Sequence, residues 1–172
     1  MPNDVPVLRV ARTRELDALR ALVARSWRAL AARSYAPDVI EAALGVAIRV
    51  DPALVEDGTY FVAEIDGQLA ACGGWSARVP TVKGADLPTP RAEVRAMFVA
   101  SEHTRRGLGR ALLERAERAI RDAGFDSAYL VATHSGLELY RAAGYVERGA
   151  HVAMLPGGVA FPLTLMSRSL AR

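Results

Sequence analysis

A chain of 172 residues that is 51% hydrophobic and 24% charged is long enough to bury a substantial core and too apolar to remain disordered. Its 22 basic and 19 acidic residues leave a formal charge of +3, without the basic tail or interleaved aromatic platform of a nucleic-acid binder. No apolar stretch is long enough to span a bilayer, and the single cysteine, Cys72, excludes an internal disulfide and points to a reducing cytoplasm.

The N-terminal stretch is arginine-rich, but Asp4, Glu15 and Asp17 interrupt it in a way foreign to organelle transit peptides, so it is read as part of the fold. Residues 7–12 read as a short strand. Thr13 is placed to cap a helix in which Leu16, Leu19, Val23, Trp27 and Leu30 share one face. Tyr35-Ala36-Pro37 breaks that helix, and Pro37 begins a second one expected to run to about residue 49. Residues 59–65 and 68–77 form strands joined by Asp66-Gly67, a strong hairpin signal. Residues 78–90, with three prolines, are the one long loop, expected at the surface near function. Residues 93–100 are a dense apolar strand, hence central. A helix over 107–123 follows, with Leu108, Leu112, Ala116 and Ala119 inward, ended by Gly124. A strand over 127–131, a short helix over 136–143 closed by Gly144, and a strand pair over 145–154 and 159–166 complete the chain. The order βααβββαβαββ predicts a single mixed-sheet α/β domain spanning residues 1–172.

The segment Phe98-Val-Ala-Ser-Glu-His-Thr-Arg-Arg-Gly-Leu-Gly-Arg110 carries the chemistry. A strand, a tight glycine turn and a helix start direct free N–H groups and the positive helix end at one point. Arg105, Arg106 and Arg110 add charge, so the expected guest is an anion, and a pyrophosphate suits the spread of donors. Neither a Walker P-loop nor a Rossmann fingerprint is present.

This segment resembles motif A of the GNAT acetyltransferases, and Leu139-Tyr140-Arg-Ala-Ala-Gly-Tyr145 resembles their motif B at the expected distance downstream. The resemblance implies a GNAT-like α/β fold: a mixed, mostly antiparallel sheet of about seven strands flanked by about four helices. It implies acetyl-CoA as cosubstrate, with its pyrophosphate on Arg105, Arg106, Gly107, Leu108, Gly109 and Arg110. The pantetheine arm would lie along the backbone of Met97, Phe98 and Val99, and the implied oxyanion donor is the backbone N–H of Met97 or Phe98. Thr133 stands where many members place an asparagine, and Thr104 and Ser101 depart from the usual glutamine or arginine and proline.

Tyr140 is implied as general acid for the leaving thiolate. Glu93, eleven residues before Thr104, lies at the offset of the glutamate base in histone-type members, and its other reading is an ion pair with Arg91 or Arg95. Relatives that work through ordered water leave water as an alternative base. The acceptor is an amine on a small molecule or peptide, with Trp27, Tyr35, Trp75, His134 and the 78–90 loop as candidate walls. His103 and Cys72 read as surface and core, and no metal-ligand spacing occurs. A non-catalytic acyl-CoA-binding or sensory module is the alternative function. The edges of the last strand pair leave room for a homodimer.

Overall fold

In the computed structural model, which describes residues 5–78, 80–82 and 90–171, Asp66 and Gly67 both take positive φ (49° and 73°). Those values suit a two-residue turn whose twist matches the strands it joins. It links β2 (Tyr60–Ile65) to β3 (Gln68–Ser76) in antiparallel register, with β1 (Val7–Val10) on the far side of β2. With β4 (Ala92–Val99), β5 (Ser127–Ala132), β6 (Val146–Leu155) and β7 (Val159–Ser169), the described residues form one seven-stranded sheet, ordered β1-β2-β3-β4-β5-β7-β6. β4 is therefore central, as its apolar density predicts. Among these seven strands the parallel pairing is β4 with β5; the others are antiparallel.

The sheet separates two cores because successive side chains on a strand point to opposite faces. Val62 joins the core under α1 (Leu16–Ala31), α2 (Pro37–Ala43) and α3 (Pro52–Glu56), with Leu19, Trp27, Ile40 and Phe161. Its neighbours Phe61 and Ala63 join the core under α4 (Leu108–Asp122) and α5 (Leu137–Ala142), with Leu112, Leu113 and Ile120. Both α4 and α5 end on a left-handed glycine. Gly124 (φ 90°) lets Phe125 N–H return to the Ile120 carbonyl, and Gly144 (φ 89°) lets Tyr145 N–H return to that of Tyr140.

Three local expectations change. Thr13 does not cap the first helix: a 3-10 turn, Thr13–Glu15, precedes it, and the Glu15 carboxylate accepts from the Arg12 N–H at 2.8 Å. The second helix stops at Ala43 rather than near residue 49, because Gly45 turns left-handed (φ 75°) and the Ile48 N–H closes back onto the Ala43 carbonyl. A fifth helix, α3, follows. The signal was Asp51-Pro52, since the Asp51 carboxylate caps the Ala53 N–H at 3.0 Å and Pro52 sits in the first turn. Of the long loop, residues 79 and 83–89 lie outside the described residues. Among the described residues, no helix is long and apolar enough to cross a membrane.

Candidate active site

β4 and β5 pair only at Ala92 with Ala128 and Glu93 with Tyr129, then part. On its other edge β4 is bulged: pairing shifts from Gly74–Arg95 to Cys72–Phe98, setting one residue of β3 against two of β4. Within the bulge Ala96 takes φ 52°, a conformation that costs a residue with a side chain. The surroundings hold it there. The Tyr60 hydroxyl donates to the Ala96 carbonyl at 2.8 Å. Gly73 and Gly74 supply the room, since a Cβ on the first would collide with the Met97 sulfur and on the second with the Thr59 carbonyl oxygen.

A cavity of about 170 Å³ opens where the strands part. Glu93 is buried (3% exposed) at its wall, where its Oε2 accepts from the Tyr129 hydroxyl and the Thr81 N–H, both at 3.0 Å. Neither arginine proposed from the sequence pairs with it; Arg95 turns to Asp51 instead. Among the described residues Oε1 makes no hydrogen bond. The Glu93 charge and burial both push the Tyr129 phenol upward, burial being the larger cause.

Tyr140 reaches the same cavity from α5. Its ring packs edge-on against Tyr145 at 5.9 Å, and Gly136 leaves it space, as a Cβ there would lie 3.1 Å from Tyr140 Cε2. Burial pushes its phenol well above the ordinary tyrosine range, so it keeps its proton at any working pH. No described residue hydrogen-bonds its hydroxyl.

Between β4 and α4 the chain passes through a 3-10 turn, Ser101–His103, closed by the Thr104 hydroxyl on the Ser101 carbonyl at 3.0 Å. Arg105 (φ 62°) and Gly107 (φ 78°) then turn left-handed on either side of Arg106. α4 begins at Leu108 with no side-chain cap and no acid in its first turn, so its leading N–H groups and positive end stay available to an anion. Arg110 lies on this rim, with Nε 2.9 Å from Glu114. Gly109 also serves packing: a Cβ on it would lie 3.2 Å from Leu139 and 3.5 Å from Val99. Met97 and Phe98 line the cavity, and Val99 follows them toward the loop.

Of the predicted walls, Trp27, Trp75, Tyr35 and His134 do not line this cavity. Trp27 is core, its indole N–H donating to the Ile40 carbonyl at 2.9 Å and riveting α1 to α2. Trp75 belongs to the α4-side core, edge-on to Phe125 at 6.0 Å, on the opposite face of the sheet from Glu93. Tyr35 and His134 stack at 5.1 Å; the Tyr35 hydroxyl donates to the Pro162 carbonyl and accepts from the His134 N–H. They brace the entry to α5 rather than line the cavity. Thr133 does line it, its hydroxyl 3.2 Å from that of Ser135. Cys72 is buried, and burial pushes its thiol up to about 12, which leaves no activated nucleophile. His103 is partly exposed beside Arg106. Among the described residues no three His, Cys, Asp or Glu side chains group as a metal would require.

Sequence reasoning missed Arg49 and Arg95, which share the cavity with Glu93. Arg95 was accessible in principle, since it follows Glu93 by two residues on one strand and so faces the same way. Arg49 was not, because its segment had been assigned to a helix.

The sequence model of a family described as acetyltransferase (GNAT) matches residues 16–145. An uncharacterised N-acetyltransferase of Chlorobaculum tepidum is 31% identical over 88 residues, covering 51% of this chain and 50% of that one. The match thus spans about half of that relative's length. Among solved structures, a GCN5-related N-acetyltransferase from Rhodopseudomonas palustris superposes with a TM-score of 0.76 at 21% identity, covering 99% of both chains. A PaiA N-acetyltransferase from Thermoplasma acidophilum in complex with coenzyme A gives 0.67 at 17% identity, over 96% of this chain and 99% of that one. The YncA putative acetyltransferase from Salmonella typhimurium with acetyl-CoA gives 0.68 at 18%, over 98% and 95%.

Proposed function

The chain belongs to the GNAT acetyltransferase family, and from that premise we propose that it transfers the acetyl group of acetyl-CoA directly to an amine within a ternary complex. The observation that carries this reading is the uncapped start of α4 behind the Arg105–Gly107 turn, beside a parted strand pair into which Tyr140 and Glu93 both reach. Bound acetyl-CoA would supply an activated acyl thioester. The N–H groups from Arg105 to Arg110 would hold its pyrophosphate, with Arg105, Arg106 and Arg110 adding charge. β4 from Met97 to Val99, no longer paired to β5, would hydrogen-bond the pantetheine arm, and Thr133 would stand beside it. The N–H of Met97 or Phe98, turned by the bulge, would donate to the oxyanion.

Each side chain answers one need. A lysine-like amine at pH 7 is neutral only about once in two or three thousand molecules, so removing its proton is worth having. The Glu93 carboxylate, with one oxygen held by Tyr129 and Thr81 and the other toward the cavity, is placed to accept that proton directly or through water. As the C–N bond forms and the C–S bond breaks, Tyr140 gives the departing sulfur a hydrogen bond and then its proton. A phenol raised by burial is a weaker acid than a free thiol, so this transfer completes only as the thiolate develops in the same dry surroundings.

Replacing Glu93 with glutamine is expected to lower kcat/KM about tenfold to a hundredfold near neutrality and to flatten the acidic limb of the pH–rate profile. Partial recovery at high pH, where the amine sheds its own proton, completes the expectation. Full activity with an unchanged profile would remove Glu93 from catalysis.

The reading itself is tested by calorimetric titration with acetyl-CoA, desulfo-CoA and ATP. Saturable binding of the first two but not ATP is expected, and absence of binding by acetyl-CoA would overturn it.

A further inference from the structure

The cavity has a charge pattern that an unspecified amine does not need. Val94 packs into the α4-side core, so Glu93 and Arg95 project together from the opposite face of β4, their Cα atoms about 6.6 Å apart along the strand. Arg49 lines the same cavity from the segment between α2 and α3. One anion and two cations thus surround a space of about 170 Å³, below the roughly 300–1,000 Å³ usual for drug-sized ligands.

Neither arginine is held tightly elsewhere. Arg95 is four-fifths buried, and its one contact is Nη1 to Asp51 Oδ2 at 3.5 Å, well beyond the roughly 2.7–2.9 Å of a charge-assisted hydrogen bond. Asp51 is itself engaged, since its Oδ1 caps α3. The remaining edge of the Arg95 guanidinium carries no other hydrogen bond among the described residues. Arg49 makes no hydrogen bond or ion pair among them either. A planar, mostly buried fork held this loosely has the geometry of a carboxylate clamp awaiting its partner.

Resting on the acetyltransferase reading above, we propose that the acceptor is a small amine that also carries a carboxylate, an amino acid of α or ω type. Its ammonium faces Glu93 and its carboxylate faces Arg95, with Arg49 adding charge. Glu93 then both attracts the ammonium and takes its proton. A neutral or polycationic amine would leave the mostly buried Arg95 fork without a carboxylate, and a peptide N-terminus would present an amide where Arg95 expects an acid.

The test pairs each protein amino acid and short ω-amino acid with its own carboxamide. The pairs are titrated by calorimetry against protein loaded with desulfo-CoA and assayed for acetyl transfer with acetyl-CoA. At least one acid is expected to bind and react about tenfold to a hundredfold better than its amide. Arg95→Gln should collapse that ratio toward unity by weakening the acid and sparing the amide, with folding checked by melting. Asp51→Asn keeps the helix cap but frees Arg95, and should tighten the acid severalfold. Amides that match or exceed their acids, a ratio unmoved by Arg95→Gln, or no acid bound at millimolar concentration would overturn the clamp. Failure of desulfo-CoA to bind would count against the acetyltransferase reading alone, because selective binding of acids to the unloaded protein would still uphold the clamp.

Discussion

A Tyr140→Phe enzyme is expected to turn over roughly a hundredfold or more slowly while binding acetyl-CoA as tightly as the unaltered protein, the usual scale for losing a positioned acid. The ring is what the structure packs: it lies against Tyr145 and over Gly136, contacts that phenylalanine keeps. The hydroxyl forms no hydrogen bond with any described residue, so removing it orphans no partner and the fold should be undisturbed. The loss therefore falls on the step at which the thiol departs. Calorimetry with acetyl-CoA and steady-state kinetics with one acceptor separate the two effects. Unchanged kcat would show that the thiolate leaves without help from Tyr140, and a matching loss of cofactor affinity would make the residue a binding element instead.

The second large effect falls on stability. Gly74→Ala is expected to cost about 3 kcal/mol or more, at the upper end of the usual range for overpacking, because its Cβ would meet backbone rather than a side chain. The Thr59 carbonyl oxygen and the Tyr60 Cα, the latter 2.8 Å away, are backbone at the start of the adjacent strand and cannot rotate aside. Gly73→Ala meets the Met97 side chain instead, and a thioether has rotamers to retreat into. The smaller cost is expected there. Urea titration of both variants decides it: equal midpoints would mean that β3 can shift, and that the bulge opposite, with Ala96 left-handed, is not held by these glycines.

Tyr140 and the two tryptophans differ in how far they could be read ahead of the structure. Tyr140 stands in a local pattern, five residues before Tyr145, with Gly144 closing the turn between them, so its position at a helix end could be inferred from its neighbours. Trp75 shows the opposite case. Its sequence surroundings, beside Ser76 in a strand, allowed either face, and only the register of β3 against β4 puts it with Phe125 under α4. A one-residue change of register exchanges the faces of a strand, and the extra residue that β3 carries against β2, Ala70, supplies such a change. Trp27 was visible as part of an apolar helix stripe, and that stripe is core, as its burial and its bond to Ile40 show.

What the sequence determined by itself is everything encoded over short separations. The hairpin at Asp66-Gly67, the glycine stops after α4 and α5, the glycine turn before α4 and most of the chain order of helices and strands follow from residues within one or two turns of each other. Backbone preference and hydrophobic period act at that range. Tertiary structure alone decided how β4 parts from β5, which way Glu93 turns, and that Arg49 comes to share a cavity with Arg95. Those depend on groups between 12 and 46 residues apart (Glu93 with Thr81, Arg49 with Arg95) and on a strained bulge that no local preference favours. Such a conformation exists only because Tyr60 and the packed sheet hold it there.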